Sequence, residues 1–398
     1  MRSIRQSYSH TIYACYVGYI VQAIVNNFAP LLFLTFSSGY GLALEQIALV
    51  STVNFAVQLC VDLLSARVID RVGYRASIMA AHVFAAAGLV GLAVLPELLG
   101  DPFAGLLAAV VLYAIGGGII EVLISPIVEA CPTEKKEAAM SLLHSFYCWG
   151  HLAVVLLSTA FFTLAGVGRW RALALLWAVI PVLNIFYFAQ VPIYPIAPGQ
   201  EKMPLGGLLR QRTFWFIMLL MVCAGASEQG MSQWASAFAE SALHLSKTAG
   251  DLAGPCAFAL FMGTARALYG KFSDRVPLKK AMTVCAALCI GCYLLAALAP
   301  HPVLGLAGCA LCGFSVGIFW PGTFSMAARV LPAGGTVLYA LMALAGDLGC
   351  SGGPGLVGLI AGIAGGELKA GVLAGAAFPV LMLLGLAVMS GRRGKEEK

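Results

Sequence analysis

The amino-acid sequence predicts an all-α membrane protein of twelve transmembrane helices in two pseudo-symmetric six-helix halves. Three observations carry that expectation. The 398 residues are 60% hydrophobic and only 11% charged, with a mean hydropathy of +0.90. Apolar segments of about 20 residues, the length that crosses a bilayer, recur along the whole chain. A short charged motif occurs twice, half a chain length apart.

The composition excludes other classes first. Soluble domains carry about 25% charged residues, so this chain has too few polar groups to coat a globule of its size. Disordered chains are charge-rich and poor in apolar residues, the reverse of what is seen. Outer-membrane barrels alternate polar and apolar residues, whereas these segments run continuously apolar.

The predicted spans, in order, are 11–36, 44–68, 77–96, 103–128, 138–165 and 171–190, then 214–240, 248–272, 280–299, 303–329, 335–363 and 369–389. The longest connection, 191–213, contains Pro192, Pro195, Pro198 and Pro204, which a continuing helix does not tolerate. It is therefore expected to be a cytoplasmic linker between an N-terminal half, 1–190, and a C-terminal half, 214–390, with a tail over 391–398. Orientation follows from the basic residues, which concentrate in cytoplasmic loops. With the N-terminus inside, only Arg169, Arg171, Lys247 and Lys369 fall on the outer side. Both termini are then cytoplasmic, and the net charge of +6 is explained by loop asymmetry and by Arg392, Arg393 and Lys395. The soluble segments are too short to build a basic face for nucleic acid. The first apolar run is too long for a signal peptide and lacks a small-residue cleavage site. The expected location is the cytoplasmic (inner) membrane, multi-pass, and the absence of any Asn-x-Ser/Thr sequence is consistent with it.

The twelve cysteines lie nearly all within predicted spans, where cysteine behaves as a small apolar residue. Cys309 and Cys312 have metal-like spacing, as do Cys285, Cys289 and Cys292, but neither group has a neighbouring histidine or carboxylate. Helix packing is their expected role; no metal and no cofactor are expected.

The two halves repeat each other. Asp70-Arg71-Val-Gly73-Tyr-Arg75 follows the second span, and Asp274-Arg275 with Lys279 and Lys280 follows the eighth, 204 residues on. Ser125-Pro126 in the fourth span is echoed by Trp320-Pro321 in the tenth. Internal repetition at half-length is a property of transporter folds. The Asp-Arg-x-Gly-x-Arg loop and its copy resemble the signature of the major facilitator superfamily, and the resemblance extends over essentially the whole chain. Ala66 stands where the superfamily's first motif glycine is usual, and Pro277 replaces the inner glycine of the second copy.

A narrower resemblance rests on four segments: Gly116-Gly117-Gly118 with Glu121, Ser125 and Pro126; Leu143-His144-Ser145-Phe146-Tyr147 with Gly150; Gly225 and Glu228 with Trp234; and Phe319-Trp320-Pro321 with Ser325. They are similar to the fucose-permease-like branch, mostly proton- or sodium-coupled sugar symporters. In that branch a fourth-span glutamate precedes a proline by five residues, as Glu121 precedes Pro126. Asparagine usually stands where this chain has Ser125. The first-span aspartate of fucose-type members corresponds here to Asn27, which argues against a two-carboxylate proton relay and against fucose itself.

Ionisable residues at membrane depth point to chemistry, since each charge near the bilayer centre costs at least about 2.5–3.5 kcal/mol. Glu121, Ser125 and Glu129 share one helix face, as do Glu228, Ser232, Ser236 and Glu240. Asn54, Gln58 and Asp62 line a face of the second span, and Tyr19, Gln22 and Asn26 one of the first. Lipid cannot satisfy such stripes, so they must face protein or a water-filled cavity. The resemblance implies a central cavity lined by spans one, four, seven and ten. Candidate substrate contacts are Tyr19, Gln22, Asn26, Asn27, Glu121, His144, Tyr147, Glu228, Gln229, Trp234 and Trp320, with Glu121 and Glu228 as candidate proton-coupling groups. Candidate gating residues are Asp62, Asp70, Arg71, Arg75, Arg266, Asp274 and Arg275, with Asp62 and Arg266 also 204 residues apart. Asp347 and His151 are compatible with function or structure. His82 lacks polar company and reads as structural.

Two motifs mislead. Gly313-Phe-Ser315-Val-Gly317 matches a serine-hydrolase elbow, which requires a strand-to-helix turn and a histidine partner; inside an apolar helix it is a small-residue packing face. Gly349 to Gly355 resembles an antiporter motif of the superfamily but lies in the eleventh span rather than the fifth, so close packing and a bend are expected. The function expected is secondary active transport of a small, polar, sugar-like solute by alternating access, coupled to protons, with sodium as the other coupling ion. A proton-coupled multidrug or metabolite exporter is the alternative. The expected state is a monomer in the lipid bilayer, and an enzyme is not expected.

Overall fold

Within a bilayer every backbone N–H and C=O must find its partner inside the protein, which the α-helix achieves within a single segment. A computed structural model describes residues 4–133, 136–194, 205–272, 276–331 and 335–396, and its regular structure is entirely helical. Eleven helical segments among the described residues are long and apolar enough to cross a membrane. The chain divides into two compact units, Met1–Pro198 and Gly199–Lys398.

In the first unit, α1 (Tyr8–Asn27) and α2 (Phe33–Tyr40) make one span with a 3-10 turn between them, and α3 covers Leu44–Val72. Gly73 follows at φ 88°, a left-handed backbone suited to glycine, and turns the chain directly into α4 (Tyr74–Leu98). Asp101 accepts the Phe103 amide at 3.0 Å and caps α5 (Pro102–Glu129). Then come α6 (Lys136–Ala165) and α7 (Trp170–Gln190). Helix α5 packs on α3 and α4, and α1 lies against α5 and α6, so the polar faces of α1, α3 and α5 meet inside this unit.

The second unit begins with α8 (Leu205–Leu209), then α9 (Arg212–Ser232), α10 (Ala235–Ser241), α11 (Lys247–Asp251), a π-turn over Leu252–Cys256 and α12 (Ala257–Phe272). It continues through α13 (Leu278–Leu298), α14 (Pro302–Val316), α15 (Phe319–Val330), α16 (Gly335–Ile363), α17 (Leu368–Gly375) and α18 (Ala377–Glu396). Helix α16 packs on α9, and Gly349 permits it: a β-carbon there would lie 2.0 Å from the Val222 carbonyl oxygen. Gly313 has the same role on α14, where a β-carbon would meet the Phe258 carbonyl oxygen at 2.2 Å. The hydrolase-like motif is thus a helix contact, and Ser315 donates to its own helix at Cys312.

Several spans expected as continuous are broken. Proline lacks an amide proton and its ring collides with the carbonyl four residues before it. Helix α11 stops at Asp251 ahead of Pro255, α14 stops just before Gly317 ahead of Pro321, and α17 stops at Gly375 ahead of Pro379. The α1–α2 break falls at Asn27, ahead of Pro30. The interruption between α9 and α10 has no proline; there Trp234 Nε1 donates to the Pro354 carbonyl at 3.0 Å, tying the break to α16.

Candidate functional site

The first-span face of Tyr19, Gln22 and Asn26 follows from helical spacing, and within the first unit each of these side chains reaches another helix. Gln22 Nε2 donates to Glu121 Oε2 at 2.5 Å. The Tyr19 hydroxyl shares a hydrogen bond with Ser125 Oγ at 3.1 Å, one turn along α5, and its ring lies 5.5 Å from that of His144. Asn26 Oδ1 accepts from both Asn54 Nδ2 at 3.0 Å and Gln58 Nε2 at 2.9 Å. Asn26 and Asn27 each direct an amide to the Tyr147 hydroxyl at 3.5 Å, and Asn27 also donates to the Ala23 carbonyl. Asp62 lies within electrostatic range of Glu121. Four helices, α1, α3, α5 and α6, thus supply one network of amides, hydroxyls and carboxylates.

This arrangement can offer donors and acceptors to a polyhydroxylated ligand, and it holds a carboxylate whose charge is costly in low dielectric. Asn54 and Gln58 belong to it although only their stripe, and no role, was legible beforehand. A stacked pair, Tyr16 on Phe146 with centroids 4.3 Å apart, was also missed; aromatic residues at helical spacing read simply as core.

In the second unit, Glu228 Oε2 lies 3.6 Å from Arg266 Nη2. Gln229 Nε2 donates to Glu228 Oε1 at 3.3 Å, and Gln233 Nε2 donates to Gln229 Oε1 at 2.9 Å. Arg266 Nε also donates to the Gly317 carbonyl at 3.0 Å, at the break before α15. Arg266 therefore stands beside a candidate substrate-contact residue. Two opposite charges in consecutive apolar spans were the signal that could have joined them. Trp234 is fully enclosed, and its Nε1 donates to the Pro354 carbonyl. The Trp320 ring lies over Gly346, where a β-carbon would meet it at 2.3 Å, and Asp347 is buried next in sequence.

Arg75 closes the carboxyl end of α7, donating to the carbonyls of Phe188, Ala189 and Val191 at 2.6, 3.1 and 2.8 Å. Arg71 is exposed in the last turn of α3. The Asp70 side chain and the residues Asp274 and Arg275 lie outside the described residues. His82 does have polar company: its Nε2 lies 2.8 Å from Asn184 Nδ2, while Nδ1 meets the Ile78 carbonyl. Asn184 comes from α7, so this partner was hidden by 102 residues of intervening sequence. His151 is buried.

A separate charged cluster ties α10 to α11. Lys247 Nζ lies 2.7 Å from Asp251 Oδ1, 3.1 Å from Glu240 Oε1 and 2.8 Å from Ser236 Oγ, with Asp251 fully enclosed. Breaking a buried ion pair leaves an uncompensated charge and costs about 3–5 kcal/mol. Lys247→Met is expected to lower unfolding stability by roughly 3 kcal/mol, read by denaturant titration. A loss below about 1 kcal/mol would instead place the cluster among screened surface pairs.

The sequence model of the Major Facilitator Superfamily matches residues 15–354. No curated protein matches this sequence. Among solved structures, the chain is similar to a bacterial homologue of the human lysosomal transporter Spinster in an inward-facing, occupied conformation, with a TM-score of 0.73, 14% identity and 98% of each chain covered. It is similar to a D-xylose–proton symporter, with a TM-score of 0.74, 13% identity, and 96% of this chain and 97% of that one covered. It is also similar to the E. coli fucose:proton symporter FucP, with a TM-score of 0.63, 15% identity, and 96% of this chain and 99% of that one covered. At such identities the likeness speaks for the fold.

Proposed function

Since the chain belongs to the Major Facilitator Superfamily, we propose that it moves a small, polar, sugar-like solute across the cytoplasmic membrane by alternating access in symport with protons. It is a multi-pass membrane transporter and not an enzyme. The observation that carries the finer reading is the Gln22–Glu121 hydrogen bond within the amide and hydroxyl network of the first unit. Hydroxyl-rich ligands need such mixed donors and acceptors, and a proton on Glu121 removes the cost of its buried charge. Two of the similar structures are named as sugar–proton symporters, which supports the same reading. In it, Glu121 couples, and Tyr19, Gln22, Asn26, Asn27, His144 and Tyr147 hold substrate within the first unit.

The competing reading is an exporter of cationic compounds. It would have Glu121 or Glu228 neutralise the substrate, and of these Glu228 already has a cation beside it, Arg266. A thermal-shift screen of purified protein against sugars, organic acids and cationic drugs decides between them. A ligand at a hundred times its Kd stabilises the folded state by about 2.7 kcal/mol, so sugars are expected to raise the unfolding midpoint in a saturable way. A response to cationic drugs alone would overturn the sugar reading.

Both termini are taken as cytoplasmic, with 191–213 as a cytoplasmic linker. Asp70 and Asp274 would then act on conformational balance through a helix dipole, and Arg71, Arg75 and Arg275 would anchor the same loops. Asp70→Asn is expected to keep equilibrium substrate binding while changing the transport rate severalfold. Loss of binding in proportion to transport would show that Asp70 is not a gating residue.

A further inference from the structure

Proline at position 321 removes one backbone donor from the tenth span. In a continuous helix an amide at 321 would serve the carbonyl four residues earlier, that of Gly317. Gly317 is buried just past the end of α14, and α15 starts at Phe319, so this carbonyl stands at the break. A buried carbonyl without a donor is costly, and nearly all are partnered. Here Arg266 Nε donates to it at 3.0 Å.

Close approach of two helices makes that bond possible. A β-carbon on Gly317 would lie 2.9 Å from the Ala265 β-carbon and 3.0 Å from the Met262 carbonyl oxygen, so glycine lets this end of α14 come near α12. The same guanidinium places Nη2 3.6 Å from Glu228 Oε2 on α9. One side chain therefore joins an acid of the seventh span to a released carbonyl of the tenth. The first unit supplies the contrast. Pro126 is the echo of Pro321, yet α5 runs on through it to Glu129. The residue 204 positions before Arg266 is Asp62, and an ionised carboxylate has no proton to offer a carbonyl. The span is interrupted where an arginine replaces the lost amide.

We infer that Arg266 is a positioning residue for alternating access: its guanidinium stands in for the amide proton that Pro321 lacks, and it makes the α14–α15 break depend on the carboxylate of Glu228. Breaks of this kind are places where a few residues absorb a change in backbone angle. With Glu228 charged, the guanidinium is held between carboxylate and carbonyl, and the break is firm. Removing that charge frees the guanidinium and loosens the break. The inference goes beyond the sugar reading and is independent of which solute is carried.

The test follows backbone amide exchange in the full-length protein in nanodiscs, without substrate and without a gradient. The Gly322 amide, bonded to the Ile318 carbonyl at 2.8 Å, reports the break, and α17 serves as the reference. Arg266→Met is expected to speed exchange at Gly322 at least tenfold, and at least fivefold more than in α17. Glu228→Gln should speed it at least threefold. Pro321→Ala restores an amide proton able to bond to Gly317, so in that background both effects should fall below twofold. A merely structural ion pair would give the same response in either background. Equal acceleration in the two backgrounds, or acceleration no greater than in α17, overturns the inference. Should Arg266→Met fail to fold, the Glu228→Gln comparison decides alone. Acceleration that disappears with Pro321→Ala supports the inference, and no acceleration, or an equal one, overturns it.

Discussion

Glu121→Gln is expected to bind substrate and exchange it across proteoliposomes while losing all accumulation driven by a pH gradient. The amide resembles the protonated acid in shape and charge and can still accept from Gln22, so the network around it survives. What it loses is the ability to pick up a proton on one side and release it on the other. Coupling requires substrate to bind the protonated form more tightly, which is a linkage between two ligands. With one proton per substrate, each pH unit across the membrane is worth about 1.4 kcal/mol, or about tenfold accumulation. The variant should fall to no accumulation in sodium-free medium, while its exchange rate stays within a few-fold of wild type. Gradient-driven uptake equal to wild type would show Glu121 to be a structural acid.

Arg266→Met is expected to cost roughly 3 kcal/mol of stability, the lower end for a broken buried pair because its side chain is 23% exposed. The variant leaves Glu228 in the interior without its cation and removes the donor to Gly317 at the break before α15. Adding Glu228→Gln should recover more than half of the loss, since a neutral amide needs no counter-charge. Unfolding of the two single variants and the double variant in nanodiscs supplies the cycle. If the double variant were no more stable than Arg266→Met, the two groups would not act as a pair.

These two sites differ in how far their own segments of sequence reveal them. Glu121 was recognisable as a functional candidate from its depth in an apolar segment and from the i, i+4 companion Ser125, because charge in a bilayer is costly whatever surrounds it. Arg266 was read as a gate residue near a span end, since nothing in its own helix pointed to Glu228, 38 residues earlier. Trp234 stood beside Glu228, Gln229 and Gln233 in sequence and looked like a ligand-binding aromatic. Its indole N–H donates to the Pro354 carbonyl on α16, a partner that depends on how α9 ends.

The sequence by itself determined the class of the protein, its helices and the polar face of each. Hydropathy decides which segments leave water, and the 3.6-residue period decides which side chains share a face; both are local properties. Proline alone does not decide where a helix is interrupted: the helix is interrupted ahead of Pro255, Pro321 and Pro379, whereas Pro96, Pro126, Pro181 and Pro354 lie inside continuous helices. Only the tertiary structure decided which faces meet. Gln22 reaches Glu121 across 99 residues, His82 meets Asn184 across 102, and Asn26 gathers Asn54 and Gln58 from another helix. Those pairings depend on close approach of whole helices, set by glycines such as Gly117 and Gly349 on surfaces that a one-dimensional pattern does not bring together.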